Sequence, residues 1–334
     1  MTEPHPLTAA QRQFVESLPF RSLRTEPCPL EEALGRVLAR PVAAPVDLPP
    51  YHRVIVEGYL IHSEDSQSAS EDNPVTFRVV GTVMPGDREC PAFGRGEALQ
   101  VATGSIAPDG PVAVARMFEV RAAGEDRIAV TRPFPPRFFI EERGCDLEKD
   151  AEVAQAGRII DAPLIGSLAA LGIGRVEVMA RPRVTIYASG NEVVPYTDVP
   201  APGEIRDSNS IMLAAAVQAA GGIPEVAGIM RDDFEAFVSS VNGALSRSDM
   251  VVISGGTAVG GRDFISDLVR SVGDLVVDGV PMRSGRPLIM GHAGIKPIVC
   301  VAGHPPEALR GFRLFGVAAI DRLLGREAEL PADA

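Results

Sequence analysis

A glycine-rich loop that carries a carboxylate follows the apolar strand predicted over Met250–Ser254. Its glycines are Gly255, Gly256, Gly260 and Gly261. Glycine lets the backbone adopt positive φ and lets a ligand come close, and the helix predicted over Phe264–Val272 would aim its first N–H groups at a phosphate. Asp263, at the start of that helix, could orient a ligand or could simply cap the helix. The loop predicts an anion site. It is not a nucleotide P-loop, because glycine and arginine replace the required lysine and serine or threonine.

Three further polar segments follow predicted strands. They are Ser189–Glu192, Arg231–Asp233 and Gly303–Glu307. Because ligands of parallel α/β sheets collect at the carboxyl ends of the strands, these segments and the glycine loop are expected to form one site. Arg283 and Arg286 flank a Ser-Gly turn between two of these segments, where they could hold a phosphate through paired hydrogen bonds or could remain solvated.

The elements that must position these loops alternate regularly after Pro182. Strands are predicted over 184–188, 225–229, 250–254 and 297–302, and helices over 208–220, 234–245, 264–272 and from about 308, which is the pattern of a parallel α/β domain. Residues 51–140 instead contain short β-branched runs at 76–80, 112–115 and 127–131, which predict a small β domain. Near the N-terminus, apolar spacing predicts a short helix over Pro29–Ala39.

Composition excludes several classes of protein. The 334 residues, 46% hydrophobic and 23% charged, suffice for two or three domains with cores of their own. A net charge of −12 argues against broad binding of nucleic acid or anionic membranes. The four cysteines are scattered, so neither a disulfide framework nor a structural zinc site is predicted. The sequence shows no signal segment and no membrane-spanning stretch, and we expect a soluble cytoplasmic protein.

Nine segments together resemble the signature blocks of a known family. In chain order they are Glu32-Ala-Leu-Gly-Arg-Val-Leu-Ala39, Leu48-Pro-Pro-Tyr51 with Glu57-Gly-Tyr59, Ala102-Thr-Gly104, Arg143-Gly-Cys-Asp146, Ser189-Gly-Asn-Glu192, Gly203–Asn209, Ser254–Asp263, Arg283-Ser-Gly-Arg-Pro287 and Val301-Ala-Gly-His-Pro305. In order and spacing they are similar to the blocks of the MoeA family, the molybdopterin molybdenumtransferases related to the E domain of gephyrin. The resemblance covers roughly residues 27–325.

The resemblance implies an α/β multidomain fold. An N-terminal helical domain, 1–46 and 147–181, would be interrupted by a small β domain, 47–146. A parallel α/β molybdopterin-binding domain, 182–326, and a polar tail, 327–334, would follow. It also implies an elongated homodimer that takes adenylylated molybdopterin and molybdate, hydrolyses the adenylate with Mg²⁺ and inserts the metal, with no role for nucleic acid or membrane.

The family's functional residues map onto this chain position by position. The pterin nucleotide would be bound by Ser254, Gly255, Gly256, Gly260, Asp263, Arg283, Arg286, Gly303, Pro305 and Asp232. The resemblance further implies that Asp146 and Glu192 lie near Mg²⁺ or molybdate, and that Glu57 and Thr103 close the cleft from the partner subunit. With Asp263, these four are the predicted catalytic residues. On local evidence alone, Thr103 could only shape a turn, Asp232 could cap a helix, and Asp146 could be a solvated acid.

The chain also departs from the family's pattern. The family's Asp-Asn-Ser-Ala-Met-Asp is His52-Arg-Val-Ile-Val-Glu57 here, which removes one carboxylate and lengthens the other. Its Thr-Gly-Asp-Glu is Ser189-Gly-Asn-Glu192, and two of its lysines are Arg283 and Arg286. The resemblance ends at the short polar tail, so we expect the family's C-terminal β domain to be missing.

These departures leave two functions open. The retained acids and glycines favour an active molybdenumtransferase-like enzyme. The altered first block and the expected loss of a domain favour a non-catalytic molybdopterin-binding carrier, or a maturation partner that serves another cofactor-biosynthesis protein or an apo-molybdoenzyme. A third interpretation, a different nucleotide as in relatives of nicotinamide-nucleotide amidase, is disfavoured by the N-terminal blocks.

Overall fold

The chain divides into two compact units. The computed structural model describes residues 5–18, 24–255, 264–280 and 287–328. The first unit, here the α/β unit, comprises Met1–Arg40, Ala156–Ile165 and Arg175–Ala334, and the second, the β unit, comprises Pro41–Gln155 and Gly166–Gly174. The β unit is therefore an insertion. The separation of a helical domain from the α/β domain at residue 181 stays a prediction.

The regular elements are as follows. The helices are α1 Pro6–Ser17, α2 Ala162–Ala170, α3 Asn209–Ala219, α4 Phe234–Arg247, α5 Phe264–Val272, α6 Pro305–Gly311 and α7 Val317–Leu323, with a π-helical segment at Phe312–Gly316. The strands are β1 Thr25–Pro29, β2 Val42–Ala43, β3 Arg53–Val54, β4 Gly58–His62, β5 Val75–Val83, β6 Glu97–Val101, β7 Val112–Arg116, β8 Val120–Ala122, β9 Arg127–Val130, β10 Ile140–Glu141, β11 Glu152–Ala154, β12 Arg175–Met179, β13 Arg183–Ser189, β14 Val193–Val194, β15 Ile205–Arg206, β16 Ile223–Met230, β17 Met250–Gly255, β18 Asp274–Asp278, β19 Ile289–Ala293 and β20 Lys296–Val301. No helix of the described residues is long and apolar enough to cross a membrane.

The α/β unit is built on a sheet with the strand order β16-β13-β17-β20-β19-β18. The first four strands are parallel, and β19 and β18 add antiparallel neighbours. Successive side chains of a strand point to opposite faces of the sheet, and in this sheet both faces are buried. Val252 of β17 belongs to the core that contains Leu213 and Phe312, whereas Ile253 belongs to the core that contains Phe237 and Leu268.

The structure confirms the predicted alternation of strands and helices in this unit, and α5 has the predicted bounds. The helix predicted over Pro29–Ala39 is wrong, since only Leu30–Glu32 forms a 3₁₀ helix. Gly35 then adopts φ +72°, and the N–H groups of Leu38 and Ala39 donate to carbonyls of other segments. The apolar residues whose spacing predicted a helix lie partly in extended chain, where Val37 and Leu38 form β-bridges with other segments.

The β unit contains a sheet with the order β7-β4-β6-β5-β9-β8, and the three runs predicted as strands lie in β5, β7 and β9. Side chains of alternating direction form a core on each face. One core includes Leu60 and Leu99, and the other includes Ile61 and Phe77. The small β domain predicted from residues 51–140 is therefore present.

The chain enters and leaves the β unit through a paired segment, here called the neck, which consists of residues 42–54 and 140–154. In the neck β2 pairs with β11, Leu48 forms a bridge with Leu147, and β3 pairs with β10. Arg53 stands directly opposite Glu141. The neck thus brings the family's first block beside the residues that precede Asp146.

Candidate functional site

A cavity of about 360 Å³ lies in the α/β unit where strands end and helices begin. Segments that follow β13, β16, β17 and β20 contribute to its wall, as expected for the carboxyl edge of a parallel sheet. Six residues predicted to bind ligand or metal line it together, namely Glu192, Asp232, Ser254, Gly255, Gly303 and Pro305. The strand-end geometry therefore gathers predicted site residues that are up to 113 positions apart in the chain, from Glu192 to Pro305.

Asn209, the first residue of α3, connects the loops that form the floor of this cavity. Its Nδ2 donates to Ser254 Oγ and to the carbonyl oxygen of Gly303, both at 2.7 Å. Ser254 Oγ donates in turn to the carbonyl of Ala302 at 3.1 Å. These bonds fix the amide, and they leave Asn209 Oδ1 as the atom of the side chain that can still accept a hydrogen bond.

Two buried polar atoms of the cavity wall have no hydrogen-bond partner among the described residues. They are Asn209 Oδ1 and Ser189 Oγ, and both residues are less than a tenth exposed. A buried polar atom without a partner costs about 1–3 kcal/mol, so these atoms are suited to a polar ligand. The sequence prediction assigned no role to either residue, although both lie in its quoted blocks. Two sequence features could have identified them: Asn209 is a polar residue at the start of a helix, and Ser189 is a polar residue at the end of an apolar strand.

Asp232 is oriented by the asparagine that replaces a family carboxylate. Asn191 Nδ2 donates to Asp232 Oδ2 at 2.6 Å, and the Asp232 N–H donates to Asn191 Oδ1 at 3.3 Å. The cap of α4 is the next residue, Asp233, whose carboxylate accepts from the Ala236 N–H at 3.1 Å. Asp232 therefore lines the cavity and is not the helix cap.

Glycines allow the strand ends to approach one another. Gly255 has φ +96°, and a Cβ there would lie 2.5 Å from the carbonyl oxygen of Ser189. Gly190 has φ +145°, and a Cβ there would lie 2.7 Å from both carboxylate oxygens of Glu192. At Gly255 the neighbour is backbone and cannot easily give way, so glycine is required there, whereas at Gly190 the exposed Glu192 side chain could move aside.

The predicted residues of the β unit form a separate set. Glu57 directly precedes β4 and Thr103 follows β6, and since Gly58 pairs with Val101, the two exposed residues lie at the same end of this sheet. Thr103 precedes Gly104, which has φ +94° and forms a turn. Asp146, also exposed, lies in the loop after β10. Their predicted roles in closing a cleft from the partner subunit stay predictions.

Arg53 holds two carboxylates of this loop region. Its Nε donates to Glu141 Oε2 at 2.9 Å, and its Nη2 lies 3.8 Å from Asp146 Oδ2. The hydrogen bond to Glu141, followed by the charges of Glu141 and Asp146, raises the pKa of Arg53 above its usual value although burial opposes this. Asp146 is thus a largely exposed acid, 62% of whose side-chain surface meets solvent, with one arginine within ion-pair distance.

His52 replaces the first family carboxylate and lies between two acids. Its Nε2 is 2.9 Å from Asp109 Oδ1, and its Nδ1 is 2.7 Å from Glu142 Oε2 and accepts from the Arg143 N–H at 3.0 Å. A cavity of about 590 Å³ in the β unit is lined by His52, Asp109 and Arg143 among others. The first residue of the altered block is therefore held by hydrogen-bonding neighbours, whereas Ile55 and Glu57 of the same block are exposed.

Several predicted site residues lie outside the described residues, namely Gly256, Gly260, Asp263, Arg283 and Arg286. Within 5–18, 24–255, 264–280 and 287–328, no group of three or more His, Cys, Asp or Glu could hold a metal ion. The lining of the described cavity includes three acids, Glu192, Asp207 and Asp232, together with Arg206. This set can bind and orient a polar ligand.

Two family models match most of this chain. Residues 5–172 match the model of the MoeA N-terminal region (domain I and II), and residues 185–322 match that of a probable molybdopterin binding domain. A molybdopterin molybdenumtransferase of Staphylococcus epidermidis is 29% identical over 303 residues, covering 90% of this chain and 72% of the relative. One from Staphylococcus aureus is 30% identical, covering 89% of this chain and 71% of the relative.

Solved structures give the same result. Two crystal structures of MoeA proteins from Pyrococcus horikoshii have TM-scores of 0.84 and 0.82, at 32% and 29% identity. Each covers 97% of this chain, and this chain covers 81% and 80% of theirs. The resemblance first drawn from nine short blocks and the MoeA-like fold that it implied are thereby confirmed, and the chain belongs to the MoeA family.

Proposed function

We propose that this protein acts in molybdenum cofactor biosynthesis, where it inserts molybdate into adenylylated molybdopterin with release of AMP. The observation that carries the proposal is the strand-end cavity, whose lining includes Ser189 and Asn209, each with a buried side-chain oxygen that has no hydrogen-bond partner among the described residues. It lies in the segment that matches a probable molybdopterin binding domain. The relatives named molybdopterin molybdenumtransferase support the same reaction.

The buried atoms fit a pterin nucleotide. Asn209 Oδ1 can accept from a ring N–H or amino group, and Ser189 Oγ can donate or accept. Gly255 lets the ligand approach the backbone at the end of β17, and Gly303 and Pro305 form the wall where β20 leads into α6. These residues would bind and orient the substrate, while Arg283 and Arg286 are proposed to hold its phosphates.

Glu192 is our candidate for the carboxylate that would hold Mg²⁺. It is exposed on the cavity wall, and the described residues form no ion pair with it. Carboxylate oxygens are the ligands that Mg²⁺ prefers. When bound, the ion would neutralise charge on the pyrophosphate that is cleaved. Asp232, which lines the cavity, and Asp263, which lies outside the described residues, would position the substrate.

Assembly and location complete the proposal. We propose a homodimer in which Glu57 and Thr103 of one protomer face the cavity of the other. The cytoplasmic location stays a prediction, as does a protein partner such as an apo-molybdoenzyme.

The test mixes the purified protein with adenylylated molybdopterin, Mg²⁺ and molybdate, and measures AMP release together with pterin binding. We expect molybdate-dependent release of AMP. Ser189→Ala should weaken pterin binding, since it removes a buried hydroxyl from the floor. Ser246→Ala is the matched control, because that hydroxyl donates to the carbonyl of Gly243 within α4.

The alternative function gives a different outcome. The altered block His52–Glu57 favours a carrier that binds molybdopterin without turning it over. Binding that Ser189→Ala weakens, without AMP release at any molybdate concentration, would identify a carrier. Absence of pterin binding would contradict both functions.

A further inference from the structure

Arg53 is fixed in position by the backbone of the neck. It stands directly opposite Glu141 in the antiparallel pair β3–β10, and Val54 pairs with Ile140 beside it. Arg53 also forms a β-bridge with Ile106 on its other side. Because cross-strand neighbours in such a pair keep their side chains close, the contact between Arg53 and Glu141 follows from the register of the strands.

The guanidinium lies between two carboxylates that belong to one loop region. Nε and Nη2 both donate to Glu141 Oε2, and Nη2 is 3.8 Å from Asp146 Oδ2. The side chains of Arg53, Glu141 and Asp146 are 38%, 35% and 62% exposed. One cation thus serves two anions at the edge of solvent.

A divalent cation would make the same contacts. Mg²⁺ is bound through carboxylate oxygens, usually one or two, and its charge offsets theirs. At Asp146 the guanidinium nitrogen Nη2 lies 3.8 Å from Oδ2 and supplies positive charge there, and the described residues offer no group of three or more His, Cys, Asp or Glu that could hold a metal ion. The donor set around Asp146 therefore does not fit a magnesium ion.

We propose that Arg53 takes the place of a divalent cation between Glu141 and Asp146, so that Asp146 is a residue positioned by an internal arginine and not a metal ligand. The proposed function enters this inference only through the expectation of Mg²⁺ at Asp146. Magnesium would then be held from the side of Glu192 alone.

The test measures binding of Mn²⁺, without substrate, to the full-length protein by electron paramagnetic resonance. We expect the single variant Asp146→Asn to bind Mn²⁺ as the wild type does. Arg53→Asn, which introduces the residue of the family block, should create a site by leaving two carboxylates unpaired. We expect the affinity of this variant for Mn²⁺ to exceed that of the wild type by about tenfold or more. Adding Asp146→Asn to that variant should abolish the new site.

Arg53→Lys is the matched control, because it keeps the positive charge and should bind Mn²⁺ like the wild type. Thermal unfolding of each variant checks that the neck is intact, and Arg53→Gln serves if Arg53→Asn does not fold. Two results would overturn the proposal, namely a loss of Mn²⁺ binding in Asp146→Asn alone, or no gain on removal of the Arg53 charge. Neither depends on AMP release, so failure of the proposed function would be seen separately.

Discussion

Asn209 shows how one side chain can prepare a site before the ligand arrives. Its amide nitrogen is fully used by Ser254 and Gly303, so its oxygen has a fixed direction. A ligand that meets this oxygen pays little for ordering it. The same bonds join α3 to the ends of β17 and β20, so Asn209 contributes to stability as well as to binding.

We expect Asn209→Ala to weaken pterin binding and to lower the free energy of unfolding by about 1–3 kcal/mol, because it removes two donated bonds and leaves the Gly303 carbonyl without its donor. Calorimetry with pterin and urea titration measure the two effects. Gln218→Ala, at an exposed position of the same helix, is the control. Unchanged pterin affinity in Asn209→Ala would remove this residue from the site.

Glu119 is the residue whose ionisation should most affect stability in acid. Hydrogen bonds from Arg116, and then from Arg132, lower its pKa from 4.5 to about 2 against the opposing effect of burial. Its side chain is only 12% exposed. A carboxylate with a lowered folded-state pKa stabilises the protein above its unfolded-state pKa, and this contribution is lost as the pH falls towards the folded-state value.

Between about pH 5.5 and about pH 3, the wild type should therefore lose about 2 kcal/mol more stability than Glu119→Gln does. Urea unfolding at a series of pH values measures both curves. Parallel curves would show that the ion pairs of Glu119 contribute nothing to the pH dependence.

At the level of elements, the site is made by strand ends that only glycine allows to meet. Gly255→Ala should lower the free energy of unfolding by about 1–3 kcal/mol and weaken pterin binding, since its Cβ would press on the Ser189 carbonyl at a positive φ.

Gly166→Ala should have the opposite effect on stability. It lies within α2 with open space around its Cβ, and alanine there should stabilise by about 0.5–1 kcal/mol.

Thermal and urea unfolding measure both glycine variants. If both substitutions change the free energy of unfolding by the same amount, the close approach of Gly255 to the Ser189 carbonyl does not affect stability.

The strands and helices of the α/β unit were predictable because each signal is local. Apolar runs predicted β13, β17 and β20, and polar or glycine residues marked their ends. The helix predicted over Pro29–Ala39 is wrong because Val37 and Leu38 form β-bridges with Ile159 and Val178, which lie far away in the sequence. No local pattern contains those partners.

The candidate site was predictable to a similar extent. Loops at strand ends converge because of sheet topology, so Glu192, Asp232 and Ser254 could be grouped from sequence. The pairing of Arg53 with Asp146 could not be, since it depends on the register of β3 with β10, two-residue strands separated by nearly the whole β unit. Which buried atoms remain without a partner also emerges only from packing.

At the scale of the whole molecule, a shared site predicts complementation between protomers. If Thr103 serves the cavity of its partner, a dimer of one Thr103→Val chain and one Asp232→Asn chain contains one intact site. Mixing the two inactive variants should then restore AMP release. Sedimentation should give a particle of twice the 35.3 kDa chain mass. Absence of recovered activity in verified mixed dimers would place all site residues on one chain.

The neck brings together the two ends of the segment 44–151. Residues 42–43 and 152–154 run side by side in opposite directions, as the two arms of a hairpin do, so the hundred or so residues between them leave the path of the flanking chain unchanged. A short turn in place of residues 44–151 would therefore close the hairpin. Because the β unit also includes Gly166–Gly174, a graft of the whole unit onto another protein would have to carry that segment as well.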